Sequence, residues 1–417
     1  MKKRASGLII LIAGLCFTAR AASSLWNVDA DSQWTNTLSW TAGVPGIANG
    51  TASADVATFS TALTADRTVT VDANRNIGGI TFGNTGTNGY TLATGMIKLS
   101  DGGVIQSLSG MGGTNKITSD VSLMGDGTFS ANATAVRGIL GLGSVSGVSG
   151  KTLTLDGTSI SGNNVGSIFG GLAVVKNGNG VWNFRNSTFT GGFTLNSGTV
   201  SFWYGNVTGL GTGLVTINGG TLGAGGSDRN LTNSVLVNGN FGLGNSGAKL
   251  TFSGGMDLNG ATRTITNNAN RISIISGAVS NGGLNLAGTG TLFLSGANTY
   301  SGGTVISTGT LSGAADAAFG SGDVTVAGGA KLTLTNSVSS DFINDKAKLI
   351  LGTNSTLNLI FTGADIVGGL SLDGGSTWLE GGTYNAAALS GRGTGTYTGS
   401  GSLTVAEVRT LGLYIIQ

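Results

Sequence analysis

A chain of 417 residues with 77 glycines, one proline and only 10% charged residues is neither disordered nor collagenous: 39% of it is apolar, and its glycines keep no triplet period. A formal charge of +2 offers no basic stripe for nucleic acid. The absence of histidine removes Ser-His-Asp and Cys-His catalysis, His-liganded zinc and the usual neutral-pH proton shuttle.

Residues 1–21 read as a signal peptide. Lys2, Lys3 and Arg4 precede an apolar run from Leu8 to Phe17 that is too short to span a bilayer. Ala19-Arg20-Ala21 supplies the small-x-small site, which places cleavage between Ala21 and Ala22. Cleavage removes Cys16, the only cysteine, so the mature chain has no disulfide or thiol-based site. It also removes four basic residues, leaving 17 against 19 acidic ones and a formal charge of −2. No later segment is long and apolar enough for a membrane helix.

Residues 22–60 read as an N-terminal cap, because Trp26, Trp34 and Trp40 cluster there ahead of Pro45, the only proline. A stacked β-structure must cover its first open edge, and buried tryptophans suit that role. An aromatic sugar-binding platform is the functional alternative. Residues 61–405 are rich in short alternating runs such as Thr68–Val71, Thr152–Leu155 and Lys331–Thr335, which predict an all-β chain.

Within this stretch a pattern occurs twice, best seen over residues 172–200 and 284–311. Gly178-x-Gly180 and Gly288-x-Gly290 each precede an alternating strand. An aromatic follows, Phe189 or Tyr300, then Gly191-Gly192 or Gly302-Gly303, a second strand, and Gly198-Thr or Gly309-Thr. Every second apolar run starts roughly 20 residues after its predecessor, the length of one turn of a parallel β-helix. A propeller or β-sandwich is the competing architecture, but this period is short for a four-stranded blade.

The acids are scattered singly, with two close pairs. Asp29 and Asp31 fall in the expected cap. Asp341 and Asp345, beside Lys346 and Lys348, are the sole catalytic or metal candidates, against the plainer reading of a solvated corner. The sequence points to no cofactor and no bound metal. Residues 406–417 form a short tail without a clear role.

With these motifs in view, the chain resembles bacterial secreted proteins that carry the autotransporter-associated β-strand repeat. The resemblance rests on the two copies, on SWTAGVP (Ser39 to Pro45) with DVATF, TVTVD and IGGITF at one end, and on EGGTYNAAAL with GSGSLTV at the other. It implies a right-handed parallel β-helix passenger with an N-terminal Trp-rich cap, exported and secreted or displayed at the cell surface. It implies no particular activity, because such repeats serve many passengers. The functional expectation is a non-enzymatic, adhesin-like structural protein that contacts polysaccharide, cell surface or matrix. The alternatives are a polysaccharide lyase or glycoside hydrolase working with scattered carboxylates, and a fragment of a full autotransporter whose barrel lies beyond Gln417.

Overall fold

The computed structural model describes residues 23–135, 140–202, 209–245, 247–268, 272–335 and 338–406. The expected signal peptide, with Ala19, Ala21 and Ala22, and nearly all of the tail lie outside these residues.

Short strands stack in parallel as a β-solenoid with three faces. Many strands alternate buried and outward residues, as in Val215–Ile217 and Val235–Val237. The first face carries Ala57, Ile80, Ile105, Phe129 and Leu155 in one inward column, each paired with the next. The second face stacks Val165, Phe184, Phe202 and Ala224 in the same way. The third face runs through Leu231, Phe252, Ile275 and Leu294. The interior between the faces is the core, and each turn closes the edge of the one before it. Parallel ladders of this kind exclude the sandwich and the propeller.

Among the described residues, antiparallel pairing occurs only near the two ends. Ile47–Ala48 pairs antiparallel with Arg75–Phe82, and Trp26 bridges Trp40. Gly382–Asn385 runs antiparallel to Ser402–Val405, next to the short helix Ala386–Ser390. Trp26, Trp34 and Trp40 are 0%, 0% and 4% exposed, which removes the sugar-platform alternative for these rings. The segment around them also forms part of the first turn, since Ser24–Leu25 pairs parallel with Val56–Phe59.

The turns are not uniform. Hydrogen-bonded partners one turn apart are separated by 26 residues at Asp126 and Thr152, but by 19 at Asn177 and Asn196. The 26-residue turn lies between Lys98 and Leu172, where no copy of the repeat is found, and turns nearly as long recur toward the C-terminal end, where Asp323 and Lys348 are 25 residues apart.

The two copies sit on different faces. Ala173–Lys176 belongs to the first-face ladder, through Leu155 below and Leu195 above. The corresponding Leu284 to Leu286 belongs to the second-face ladder, because Leu286 stacks on Ile265 and Ile265 on Phe241. The same sequence therefore builds two different pairs of adjacent faces, so the repeat encodes a corner and its flanking strands rather than a fixed side of the shaft.

Alignment of Gly178 with Gly288 sets Lys176 against Leu286, and both side chains point inward. The Lys176 ammonium donates to the carbonyls of Asn177, Gly178 (2.8 Å) and Ser197 (3.2 Å). Burial lowers its pKa from the ordinary 10.5 to about 8. Between those values the unfolded chain holds a proton that the folded chain has released, so stability rises with pH in that window. We expect Lys176→Met to fold, as Leu286 does at its own corner, and to lack that rise. Urea titrations of both proteins at pH 7 and pH 10 check this; equal pH dependence would show the ammonium to be unperturbed.

Candidate functional site

The loop carrying Asp341 and Asp345 is pinned by what lies between them. Phe342 and Ile343 are fully buried, and the Phe342 ring packs 5.0 Å from that of Phe361. The carbonyl of Asp341 accepts from the Ala317 N–H at 2.6 Å, tying the loop to the turn before. Both candidate carboxylates are therefore held outward, on the exposed side of an ordered loop.

Beneath them lies a residue that the sequence did not single out. Asp365 is 1% exposed, its Oδ2 accepts from the Ile343 N–H at 3.2 Å, and its Oδ1 has no partner. Burial pushes its carboxyl up to about 8; the Ile343 and Phe342 N–H groups oppose the rise, and the charges of Asp341 and Asp345 add to it. Asp341 is itself raised, by burial first and then by Asp345 and Asp316. The structure thus gathers four acids, of which Asp316 and Asp365 were missed; nothing in the ADIV run around Asp365 marks it.

This gathering fits poorly with catalysis. Glycoside hydrolysis sets two carboxyl groups across a substrate cleft, whereas Asp365 is sealed under its own loop. Among the described residues, no three acids are placed to hold a metal ion. Lys346 and Lys348 form no ion pair with these acids; the Lys348 ammonium lies 5.1 Å from the centre of the Trp378 ring.

The other acidic pair is structural. Asp29 accepts from Arg67 Nε at 2.6 Å and from the Thr64 N–H and hydroxyl; these bonds, Arg67 first, hold its carboxyl at about 2. Asp31 accepts from the Thr68 N–H at 2.7 Å. Together they fasten one turn to the next.

The outer faces carry more order than the acids do. At one exposed corner Asn177, Asn196, Asn218, Asn238 and Asn259 form a continuous ladder, each amide donating to the Oδ1 one turn below at 2.6–2.9 Å. The regular spacing of these five asparagines was legible in the sequence, but only stacking shows that they touch. On the second face, further toward the N-terminus, a groove of about 460 Å³ runs past Lys116, Gly141, Asn164 and Arg185.

The repeat residues have matched roles in both copies. Gly178, Gly192 and Gly198 have positive φ, as do Gly288, Gly303 and Gly309. Gly191 and Gly302 instead lie against backbone, where a Cβ would meet Leu172 O at 2.4 Å and Gly282 O at 2.7 Å. The N–H of Gly180 and that of Gly290 each donate one turn down, and Phe189 and Tyr300 are buried plugs. The model of the passenger-associated-transport-repeat family matches residues 174–202 and 284–312, the same two corners. This chain carries two passenger-associated-transport repeats. A curated relative, the adhesin BmaC autotransporter of Brucella suis biovar 1 (strain 1330), is 28% identical over 265 residues. That match covers 62% of this chain and 7% of the relative, so the chain spans a small part of that protein's length. No solved structure matches.

Proposed function

We propose that this passenger-type β-solenoid is a non-enzymatic, adhesin-like protein, exported to the cell surface or released, whose outer faces contact polysaccharide, cell surfaces or matrix. The observation that carries the reading is the 265-residue similarity to an autotransporter adhesin. The physical character of the outer faces supports it. The asparagine ladder from Asn177 to Asn259 repeats the same amide over five successive turns, so one long partner is met by many weak, regularly spaced contacts, and avidity replaces a single tight pocket.

The test is retention of the purified chain on cultured cells, on matrix-coated wells and on immobilised glycans. Saturable retention on at least one surface, without new reducing ends or unsaturated sugars in the glycan, is expected. No retention on any of them overturns the adhesive reading, and product formation overturns the non-enzymatic one.

A further inference from the structure

The groove on the second face owes its shape to one residue. The outward column there runs Thr91, Lys116, Gly141, Asn164, Asn183, each paired with the next. Every neighbour in that column carries a side chain, and Gly141 leaves a notch between Lys116 and Asn164.

No backbone requirement explains a glycine at this position. Gly141 is not among the residues of positive φ, and an added Cβ would meet only Lys116 Cγ at 3.5 Å and Asn115 O at 3.7 Å, ordinary contacts. The next two glycines along the groove differ. A Cβ on Gly143 would crowd Ile117 O at 3.1 Å, and one on Gly166 would collide with Gly143 O at 2.5 Å. A glycine inside a strand costs about 0.5–1 kcal/mol relative to alanine. At residue 141 that cost is offset by no turn and no close approach. What the glycine produces is the opening.

The opening is polar and carries side-chain groups without a protein partner. Among the described residues the Lys116 ammonium, the Asn164 Nδ2 and the hydroxyls of Ser144 and Ser167 have no hydrogen-bond or ion-pair partner. Arg185 lines the far end, just after the strand Val181–Phe184, and Asp120 contributes one carboxylate. Lys116 and the strand preceding Arg185 are three rungs apart, roughly 14 Å at the usual strand spacing. Backbone positions that far apart leave room for the two cations to meet separate acidic groups. The cations match such groups on one extended chain, while the hydroxyls, the amide and Asp120 suit sugar hydroxyls between them. Among the described residues that line the groove there is no aromatic ring of the kind on which a single-stranded nucleic acid stacks.

We propose that this notch is a subsite for a segment of acidic polysaccharide, with carboxylate or sulfate groups seated on Lys116 and Arg185 and the chain passing over Gly141. The proposal deepens the adhesive reading and rests on it.

The decisive variant is Gly141→Thr, which fills the notch and replaces a strand glycine with a good strand former. The full chain is tested by biolayer interferometry on immobilised hyaluronate, heparin and neutral dextran, with single-stranded DNA as a competing polyanion. The wild type is expected to be held by hyaluronate or heparin and not by dextran; the stronger of the two identifies the acidic group. Gly141→Thr is expected to keep or raise the melting temperature and to weaken binding at least tenfold. Lys116→Ala is expected to weaken it at least threefold and to flatten its salt dependence, while Lys249→Ala, at an exposed pair with Asp228 on another turn, leaves it unchanged. Wild-type binding by both Gly141→Thr and Lys116→Ala overturns the proposal, as does equal retention on dextran or stronger binding of DNA. If Gly141→Thr fails to fold, Lys116→Ala decides alone. Absence of acidic-glycan binding with cell retention intact removes this subsite only, whereas loss of both removes the adhesive reading too.

Discussion

Phe59→Ala is expected to lower stability by about 4 kcal/mol, the usual range for deleting a fully buried phenylalanine. The Phe59 ring is the hub of the N-terminal end. It lies 5.9 Å from Trp26, 5.8 Å from Trp34 and 5.6 Å from Trp40, with Phe82 at 5.5 Å and Tyr90 at 5.1 Å. The tryptophans are fixed to one another as well: Trp34 Nε1 donates to Pro45 O at 3.0 Å, and Trp40 Nε1 to Trp34 O at 2.7 Å. Removing the hub leaves three large rings around a void too enclosed to collapse without breaking those bonds.

Each turn of a solenoid touches only its neighbours, so the damage should stay at that end. In a urea titration the tryptophan emission of the variant is expected to shift red before the far-UV dichroism of the strands changes. The two signals should coincide more closely in the wild type. Loosening this end also bares the edge of the first complete turn, a template for pairing with other chains. Concentration-dependent sedimentation of the variant at intermediate urea is the second expected sign. A single transition at the wild-type midpoint would show that the rings are not the clamp their packing implies.

That clamp was legible from sequence: three tryptophans ahead of the only proline, before a run of strands, already suggested a covered end. The parallel stack was legible too, because the two copies repeat glycines whose conformational role does not depend on surroundings. The rest depended on registry. Nothing in the linear pattern shows that the second copy has moved to another face, since a turn of 26 residues and one of 19 look alike when strands are three to five residues long. The inward direction of Lys176 was likewise hidden, because alternation allows a lysine at either parity and only its place between Leu155 and Leu195 decides it. The same limit explains the acids. Asp341 and Asp345 are close in sequence and so drew notice, whereas Asp365 reaches them only because the following turn stacks on theirs.

Asp365 carries the other large expected effect. Its folded pKa of about 8 lies above the ordinary 3.8, so between those values the folded chain holds a proton that the unfolded chain has released. Stability contributed by the neutral carboxyl is therefore fully present below about pH 4 and is lost as pH rises through 8. Four pH units at 1.36 kcal/mol each put the effect at most on the order of 5 kcal/mol, with the opposing pull of the Ile343 and Phe342 N–H groups already contained in the folded value. Asp365→Asn keeps an oxygen for that N–H and removes the proton. We expect the wild-type melting temperature to fall between pH 5 and pH 9, with Asp365→Asn nearly level over the same range and the more stable protein at pH 9. The first region to open in the wild type should be the loop that Asp365 anchors, because ionisation adds a buried negative charge to those of Asp341, Asp345 and Asp316. Hydrogen exchange at the Phe342 and Ile343 amides at pH 9 reads this directly. Parallel melting curves for the two proteins would mean that Asp365 is already ionised at pH 5 and that water, not protein, satisfies its free oxygen.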